Sequence, residues 1–475
     1  MKKLSSSIGS IFFSSAILGI FGIAFVPIAL RVLGSEKFGI YAAYSTLLSV
    51  ITLIDLGVIK NLTRKIAATD DNEIVSSEIR NVNTMYAFIG LVLLILMFPL
   101  ARVNAAYVFP TVNFDASIIF LTYICCLEYI TSIPCNIVIA YAVSREKFLD
   151  YSRYNLTSGV IRYSIMIAVL LLTRDPVILA LAVALRKPIE TIIALRMLGA
   201  LPQGSWALNK DIRSSLSTFS ETFSLSSAQI LQILVIAVGS VFVNRFSGLT
   251  ALGNYRAAFD LASRIWFVSN GIGAVIFPRL VKMNGNVEKL NFLRNILPAI
   301  LYTSWLFYIF LSLIVAFLAA TILKLLHIEN IGIQPLLILM TLGISMNAHA
   351  NVSYEYLQSK AEYMKTAWLS FLSLALMVFV YLTVYPYLGV LTIGYSWIVS
   401  QSIYAIVSDI QTTEYSRKNL LTQITIFLIA FVIIVQQTLK TGATGIIIAG
   451  LLLAIVLFLT LPSKFYILKG ALRGS

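Results

Sequence analysis

Charge is scarce in this 475-residue chain: 12% of its residues are Asp, Glu, Lys or Arg, against roughly a quarter in a soluble domain. That shortage excludes a soluble fold. Cysteine is scarcer, with Cys125, Cys126 and Cys135 the full set. All three fall in one apolar stretch, which excludes a disulfide framework and leaves them as small hydrophobes. Histidine is nearly missing. His327 and His349 have no ligand partners at useful spacing, so a structural zinc or haem site is not expected, and no cofactor is called for. Long hydrophilic loops are also wanting. A membrane-embedded polymerase or glycosyltransferase needs an external loop to hold its sugar acceptor, and the connectors expected outside the cytoplasm are very short.

What is abundant is apolar length. Hydrophobic residues make up 59% of the chain, and the mean hydropathy is +0.89. A hydrocarbon core about 30 Å thick takes about 20 apolar residues per helix, and about 14 such runs lie between Ile8 and Leu461. The predicted fold is an all-α integral membrane protein. Its helices are placed near 8–33, 38–59, 83–102, 114–143, 154–173, 177–199, 216–243, 254–277, 293–323, 334–358, 366–385, 388–411, 420–439 and 443–462. Residues 1–30 read as the first span, not a signal peptide. The apolar run is long and leads into Pro27 and Arg31 with no small-residue cleavage site.

The net charge of +14 reports orientation. With these spans, about 23 Lys and Arg fall on the face holding both termini and about 8 on the other, which places both termini in the cytoplasm. The surplus calls for no nucleic-acid partner.

Two motifs recur at an offset of about 214 residues. Gly39-Ile-Tyr41-Ala-Ala43 opens the second helix and Gly253-Asn-Tyr255-Arg-Ala257 the eighth. Tyr141-Ala-Val-Ser144-Arg145 closes the fourth and Tyr356-Leu-Gln-Ser359-Lys360 the tenth. The expected organisation is a six-helix half over 1–205, a second over 206–412, and an additional helical pair with a cytoplasmic tail over 413–475. The first and seventh helices enter the bilayer in the same direction. The halves are therefore parallel repeats, a geometry suited to alternating access round a central cavity.

Ionisable side chains at membrane depth are costly and are functional candidates by default. The cations are Arg162, Arg186, Lys187 and Arg264, with Arg31 and Arg245 near outer helix ends. Arg186 and Glu190, like Asp260 and Arg264, stand four residues apart and can pair on one helix face. Lys187 has no evident local partner. Cations left over in a lumen suit an anionic cargo, since Arg forks onto phosphate oxygens and Lys acts as a point charge. The expected cargo contacts are Arg162, Lys187, Arg186, Arg264 and Arg31. A desolvated carboxylate able to take and release a proton serves ion coupling; the candidates are Asp55, Asp260, Glu128 and Glu221. Each acid also has the simpler reading of a local ion-pair partner.

The stretch Arg31-Val-Leu-Gly34-Ser-Glu-Lys-Phe-Gly39-Ile-Tyr41-Ala, then Leu53-Ile-Asp55-Leu-Gly57, then Thr63-Arg64-Lys-Ile-Ala67 resembles the Wzx-type polysaccharide (O-antigen) repeat-unit flippases. These belong to the multidrug/oligosaccharidyl-lipid/polysaccharide exporter superfamily. The resemblance implies a MATE-like fold, a bacterial inner-membrane location and no enzymatic activity. It implies a cargo of undecaprenyl-diphosphate-linked oligosaccharide moved from the cytoplasmic to the periplasmic leaflet, with ion-gradient drive. Membrane lipids and the polymerase and chain-length proteins of the same pathway are the implied partners. Many relatives have 12 helices, so the last pair is a departure. Same-fold alternatives are a multidrug/toxin exporter and a peptidoglycan-precursor exporter; a membrane-embedded polymerase or glycosyltransferase is the alternative of another class.

Overall fold

The computed structural model describes residues 2–52, 58–103, 116–209, 212–269, 297–328, 330, 332–360, 362–412 and 417–439. The regular structure among them is helical. Hydrocarbon offers no hydrogen bonds, so each spanning segment must satisfy its own backbone, which a helix does. In chain order the helices are α1 (Lys2–Ile51), α2 (Val58–Ala67), α3 (Asn72–Val103), α4 (Ala116–Ser144), α5 (Phe148–Thr173), α6 (Pro176–Leu185), α7 (Lys187–Leu198) and α8 (Ile212–Ala262). They continue with α9 (Leu297–Leu325), α10 (Ile333–Ser359), α11 (Tyr363–Leu388), α12 (Thr392–Thr412) and α13 (Arg417–Leu439).

Among the described residues, 8 segments are long and apolar enough to cross a membrane. Three of them, Phe13–Ile51, Ile230–Ser269 and Met364–Thr412, have lengths of 39, 40 and 49 residues. That is about two spans each. Each is broken by a glycine of left-handed φ: Gly34 at 73°, Gly248 at 83° and Gly389 at 55°. Only glycine takes that conformation without a side-chain penalty. The breaks expected between residues 33 and 38 and between 243 and 254 fall at Gly34 and Gly248; the one expected between 385 and 388 is displaced to Gly389, just inside the helix expected over 388–411.

The single sixth helix expected over 177–199 is corrected to two, α6 and α7, parted at Arg186. Pro188 lies in the first turn of α7. It has no N–H to continue the ladder and favours a helix start. The turn from α5 to α6 is only two residues long. Arg174 caps α5 in the left-handed region, and the Asp175 carboxylate accepts from Val177 N at 2.7 Å and Ile178 N at 3.1 Å.

The chain divides into two compact units, Met1–Arg256 and Ala257–Ser475. In the first, α4 is the hub, packed by α1, α2, α3, α6 and α7, while α1 runs along α5. In the second, α10 is the hub among α9, α11, α12 and α13, and 94% of its apolar window is buried. Gly343 of α10 lies against Trp397, and Gly394 of α12 against Leu339. Small residues let helix backbones approach where lipid supplies no hydrophobic drive.

The repeated motifs have the same local structure. Gly34 and Gly248 share extended ψ values of 169° and 177°. Ser144 Oγ donates to Tyr141 O at 2.7 Å, and Ser359 Oγ donates to Tyr356 O at 2.7 Å. The Arg145 guanidinium lies 5.8 Å from the Tyr141 ring, and the Lys360 ammonium 4.5 Å from the Tyr356 ring.

Candidate functional site

The first unit carries a buried cluster of charge drawn from four helices. The break at Arg186 begins it. Arg186 and Lys187 are consecutive at the start of α7, and Glu190 follows within one turn. Arg186 Nη1 donates to Glu190 Oε1 as an i,i+4 pair, and the Ser158 hydroxyl of α5 donates to the same oxygen. Glu128 arrives from α4 and accepts from the Tyr44 hydroxyl of α1. Lys187 Nζ stands 3.4 Å from Glu190 Oε2 and 3.8 Å from Glu128 Oε1.

Lys187 is therefore not without a partner, which corrects the sequence expectation. Two cations meet two carboxylates, and the cluster is neutral as a whole. The physical reason is tertiary: Glu128 is 59 residues away in the chain, and only the packing of α4 on α7 brings it in. Charges withdrawn from water need such partners, because an uncompensated one costs several kcal/mol.

The four charged members are not alike. Arg186, Glu190 and Glu128 are 3%, 5% and 4% exposed. The Lys187 side chain is 22% exposed, and both its carboxylates lie beyond tight contact. Each carboxylate already has closer donors. Lys187 is the loosely held, open member, with three ammonium protons to offer an incoming acceptor. Neither Tyr44 nor Ser158 had been singled out in the sequence. A neutral hydroxyl in a transmembrane helix gives no charge signal, and only its contact with a buried acid marks it.

Arg162 lies one turn beyond Ser158 on α5, half-buried, with its guanidinium 4.9 Å from the Tyr163 ring. Tyr163 stacks on Phe21 at 6.0 Å and meets Phe25 at 6.2 Å; Phe25 meets Tyr41, and Tyr41 meets Tyr44 at 5.8 Å. An aromatic file thus runs along α1 and α5 to the charged cluster. Arg31 is exposed on α1, three residues before the Gly34 bend.

Arg264 and Asp260 belong to the second unit. Arg264 lies 5.9 Å from the Phe267 ring, and its Nε is buried with no hydrogen-bond partner among the described residues. The Asp260 carbonyl accepts from Ser263 Oγ at 3.0 Å. Asp55 and the side chain of Glu221 lie outside the described residues.

The segment 200–209 after α7 is stitched to α3. Asn83 Nδ2 donates to Ser205 O at 2.7 Å, and Asn209 N donates to Thr84 Oγ1 at 2.6 Å. Trp206 and Leu208 of this segment close one end of an apolar groove of about 470 Å³, walled by Tyr86 and Leu94 of α3 and Ile130 and Pro134 of α4.

A family profile described as "Polysaccharide biosynthesis protein" matches residues 5–284. No curated protein matches the sequence. Among solved structures, the lipid II flippase MurJ in an inward closed conformation superposes with a TM-score of 0.65 at 14% identity, covering 96% of this chain and 98% of that one. The MATE multidrug transporter DinF-BH, solved as a complex with a small molecule, superposes with a TM-score of 0.67 at 13% identity, covering 88% and 96%. At such identities the likeness is one of fold. The apolar helices of this fold make the chain a multi-pass membrane protein.

Proposed function

We propose that this chain, which belongs to the polysaccharide biosynthesis protein family, flips undecaprenyl-diphosphate-linked oligosaccharide repeat units. In this reading it is a transporter with no catalytic step. The cargo moves from the cytoplasmic to the periplasmic leaflet of a bacterial inner membrane, driven by an ion gradient, with both termini in the cytoplasm. The repeat halves, 1–205 and 206–412, are the bodies that rock, and 413–475 is an accessory pair.

The observation that carries the reading is the state of Lys187. It is partly open and loosely shared by two buried carboxylates, one of which holds Tyr44 at the end of an aromatic file that carries Arg162 at Tyr163. A diphosphate presents several anionic oxygens and competes for that ammonium. Glu128 keeps Tyr44, and Glu190 keeps Arg186 and Ser158, so the cluster loses one contact without stranding a charge. The half-buried Phe21 and Tyr41 of that file are the rings open to stack on a sugar. A cationic drug would meet carboxylates that are already engaged.

The test is flipping of a fluorescent lipid-diphosphate oligosaccharide in proteoliposomes. Lys187→Ala and Arg162→Ala are expected to weaken cargo engagement about ten- to a hundredfold each, the scale of a lost charge-assisted hydrogen bond. Unchanged flipping by both folded variants would remove these residues from cargo binding. Equal transport of a cationic dye and no transport of the diphosphate would favour the multidrug exporter.

A further inference from the structure

The apolar groove between α3 and α4 lies apart from the charged cluster. Ile130 and Pro134 of α4 line it, whereas Glu128 of the same helix meets Tyr44 of α1 and Lys187 of α7. On α3 its wall is Asn83, Ala87, Gly90, Leu91 and Leu94, a stripe at three- and four-residue spacing down one helix face. The missing side chain at Gly90 keeps the floor low: a Cβ there would still lie 3.9 Å from Ile130. Leu91 and Leu94 are 56% and 49% exposed, so the groove opens sideways.

One end is polar and cationic. Arg80 stands three residues before Asn83 and seven before Ala87, on the same face of α3. Its Nη1 lies 3.5 Å from the place a Cβ would take on Gly204. Asn83 Nδ2 donates to the adjoining Ser205 O at 2.7 Å. Trp206 and Leu208 follow, 48% and 59% exposed. Glu78, the acid nearest Arg80 along α3, is held by Lys65 at 3.1 Å. Among the described residues no carboxylate pairs with the Arg80 guanidinium.

We propose that this groove binds one anionic phospholipid of the surrounding bilayer, with an acyl chain laid between α3 and α4 and the phosphate at Arg80. The dimensions select a single chain. From Asn83 to Leu94 the stripe is about 16 Å long at 1.5 Å per residue, and one leaflet is about half of a 30 Å hydrocarbon core. The groove therefore ends where a leaflet ends. Its volume of about 470 Å³, spread over that length, leaves a cross-section of about 29 Å², against about 80 Å² for a helix 10 Å across. A spanning helix of another protein is too thick to enter. A polyprenyl tail is much longer than one leaflet and would overrun the far end.

The chemistry of the polar end selects the headgroup. A guanidinium forks onto phosphate oxygens, and a zwitterionic lipid brings an ammonium of its own to compete for that phosphate. The charge bias expects residues 200–209 on the cytoplasmic face, and the leaflet there is the one whose anionic lipids attract such cations. Trp206 is a side chain suited to headgroup level. A lipid seated in this way covers Trp206 and Leu208 and holds their segment on α3. A ligand that binds the folded chain alone raises its stability by mass action, so binding has a second readout in the unfolding midpoint.

The full chain in detergent is titrated with palmitoyl-oleoyl phosphatidylglycerol, with phosphatidylcholine of the same chains, and with undecaprenyl phosphate. Bound lipid is counted by native mass spectrometry, and thermal unfolding is followed in parallel. One phosphatidylglycerol is expected to be held more tightly than any further one and to raise the midpoint, with phosphatidylcholine about tenfold weaker. Arg80→Ala is expected to lower phosphatidylglycerol affinity about tenfold, the scale of one lost charge-assisted hydrogen bond. Arg80→Lys keeps the preference for the anionic lipid. Gly90→Phe, which fills the groove, removes tight retention of both lipids. Arg102→Ala, at the other end of α3, changes neither.

Equal retention of phosphatidylglycerol by the wild type, Arg80→Ala and Gly90→Phe overturns the proposal. If Gly90→Phe does not fold, Ala87→Leu, at an exposed position of the same groove, decides the point. Undecaprenyl phosphate held in preference to phosphatidylglycerol, and lost in the same variants, overturns the phospholipid and gives the groove to the cargo tail. A dimer that Gly90→Phe dissociates overturns it in favour of a second copy of the chain. None of these measurements reads flipping, so the cargo reading stands or falls on its own test.

Discussion

Gly39 and Gly253, equivalent positions of the internal repeat, face each other across one helix crossing. A Cβ on Gly39 would run into the Leu249 carbonyl, and a Cβ on Gly253 would run into the Ser35 carbonyl. Ser35 and Leu249 are themselves repeat-related, so the contact is self-complementary. The obstacles are backbone atoms, which cannot step aside as a flexible side chain would. Gly39→Ala or Gly253→Ala is expected to destabilise the protein by about 1–3 kcal/mol, the usual scale of overpacking. Thermal unfolding in detergent checks this. Gly90→Ala, whose nearest neighbour would lie 3.9 Å away, is the control and is expected to leave the midpoint nearly unchanged.

Gly34 and Gly248 test a different property. Nothing stands within 4 Å of a Cβ at either position, yet both have left-handed φ. The cost of Ala there is conformational, about 1–2 kcal/mol. Gly34→Ala is expected to be milder in stability than Gly39→Ala and to slow transport by stiffening the bend. Flipping rate and unfolding midpoint, measured on the same preparation, separate the two effects.

The charged cluster predicts an asymmetry between its members. Glu190→Gln leaves Arg186 buried without its anion, and breaking a buried pair in this way costs about 3–5 kcal/mol. Replacing both partners, Arg186→Met with Glu190→Gln, is expected to recover most of that loss, as read from the unfolding midpoint. Lys187→Ala is expected to cost far less stability, because its ammonium is partly in solvent and loosely held. A Lys187→Ala variant as unstable as Glu190→Gln would make that lysine structural.

Topology follows from the charge bias. Reporter fusions at Asn209 and Ser475 are expected to read cytoplasmic, and one at Asn113 periplasmic. A periplasmic carboxyl terminus would make the helix count odd and remove the 413–475 pair.

The cysteines offer a simple measure of packing. Cys125, Cys126 and Cys135 are buried in the protein at 0%, 1% and 4% exposure, and Cys135 Sγ lies 2.9 Å from the Tyr154 hydroxyl. A membrane-permeant maleimide is expected to leave all three unlabelled in the native protein and to label them after denaturation. Labelling of Cys135 in the native protein would mean that α4 and α5 separate during the cycle.

Helix identity, the membrane location and the repeated motifs were written in the sequence. A hydrocarbon slab imposes one length rule and one backbone rule, and apolar runs of the right length answer both. The gaps between apolar runs placed two of the breaks, near Gly34 and Gly248, whereas the left-handed turn at each glycine came from the structure. The motif pairs at Tyr141 and Tyr356 were legible because their hydrogen bonds span only three residues. The partner of each buried charge was decided by the tertiary structure alone. Glu128 meets Lys187, Ser158 meets Glu190, and His349 meets Asp409 across tens of residues. Helices in lipid are brought together by close packing and interhelical hydrogen bonds rather than by a hydrophobic face. No periodicity along the chain announces which faces meet, so each of these partners came only with the packing.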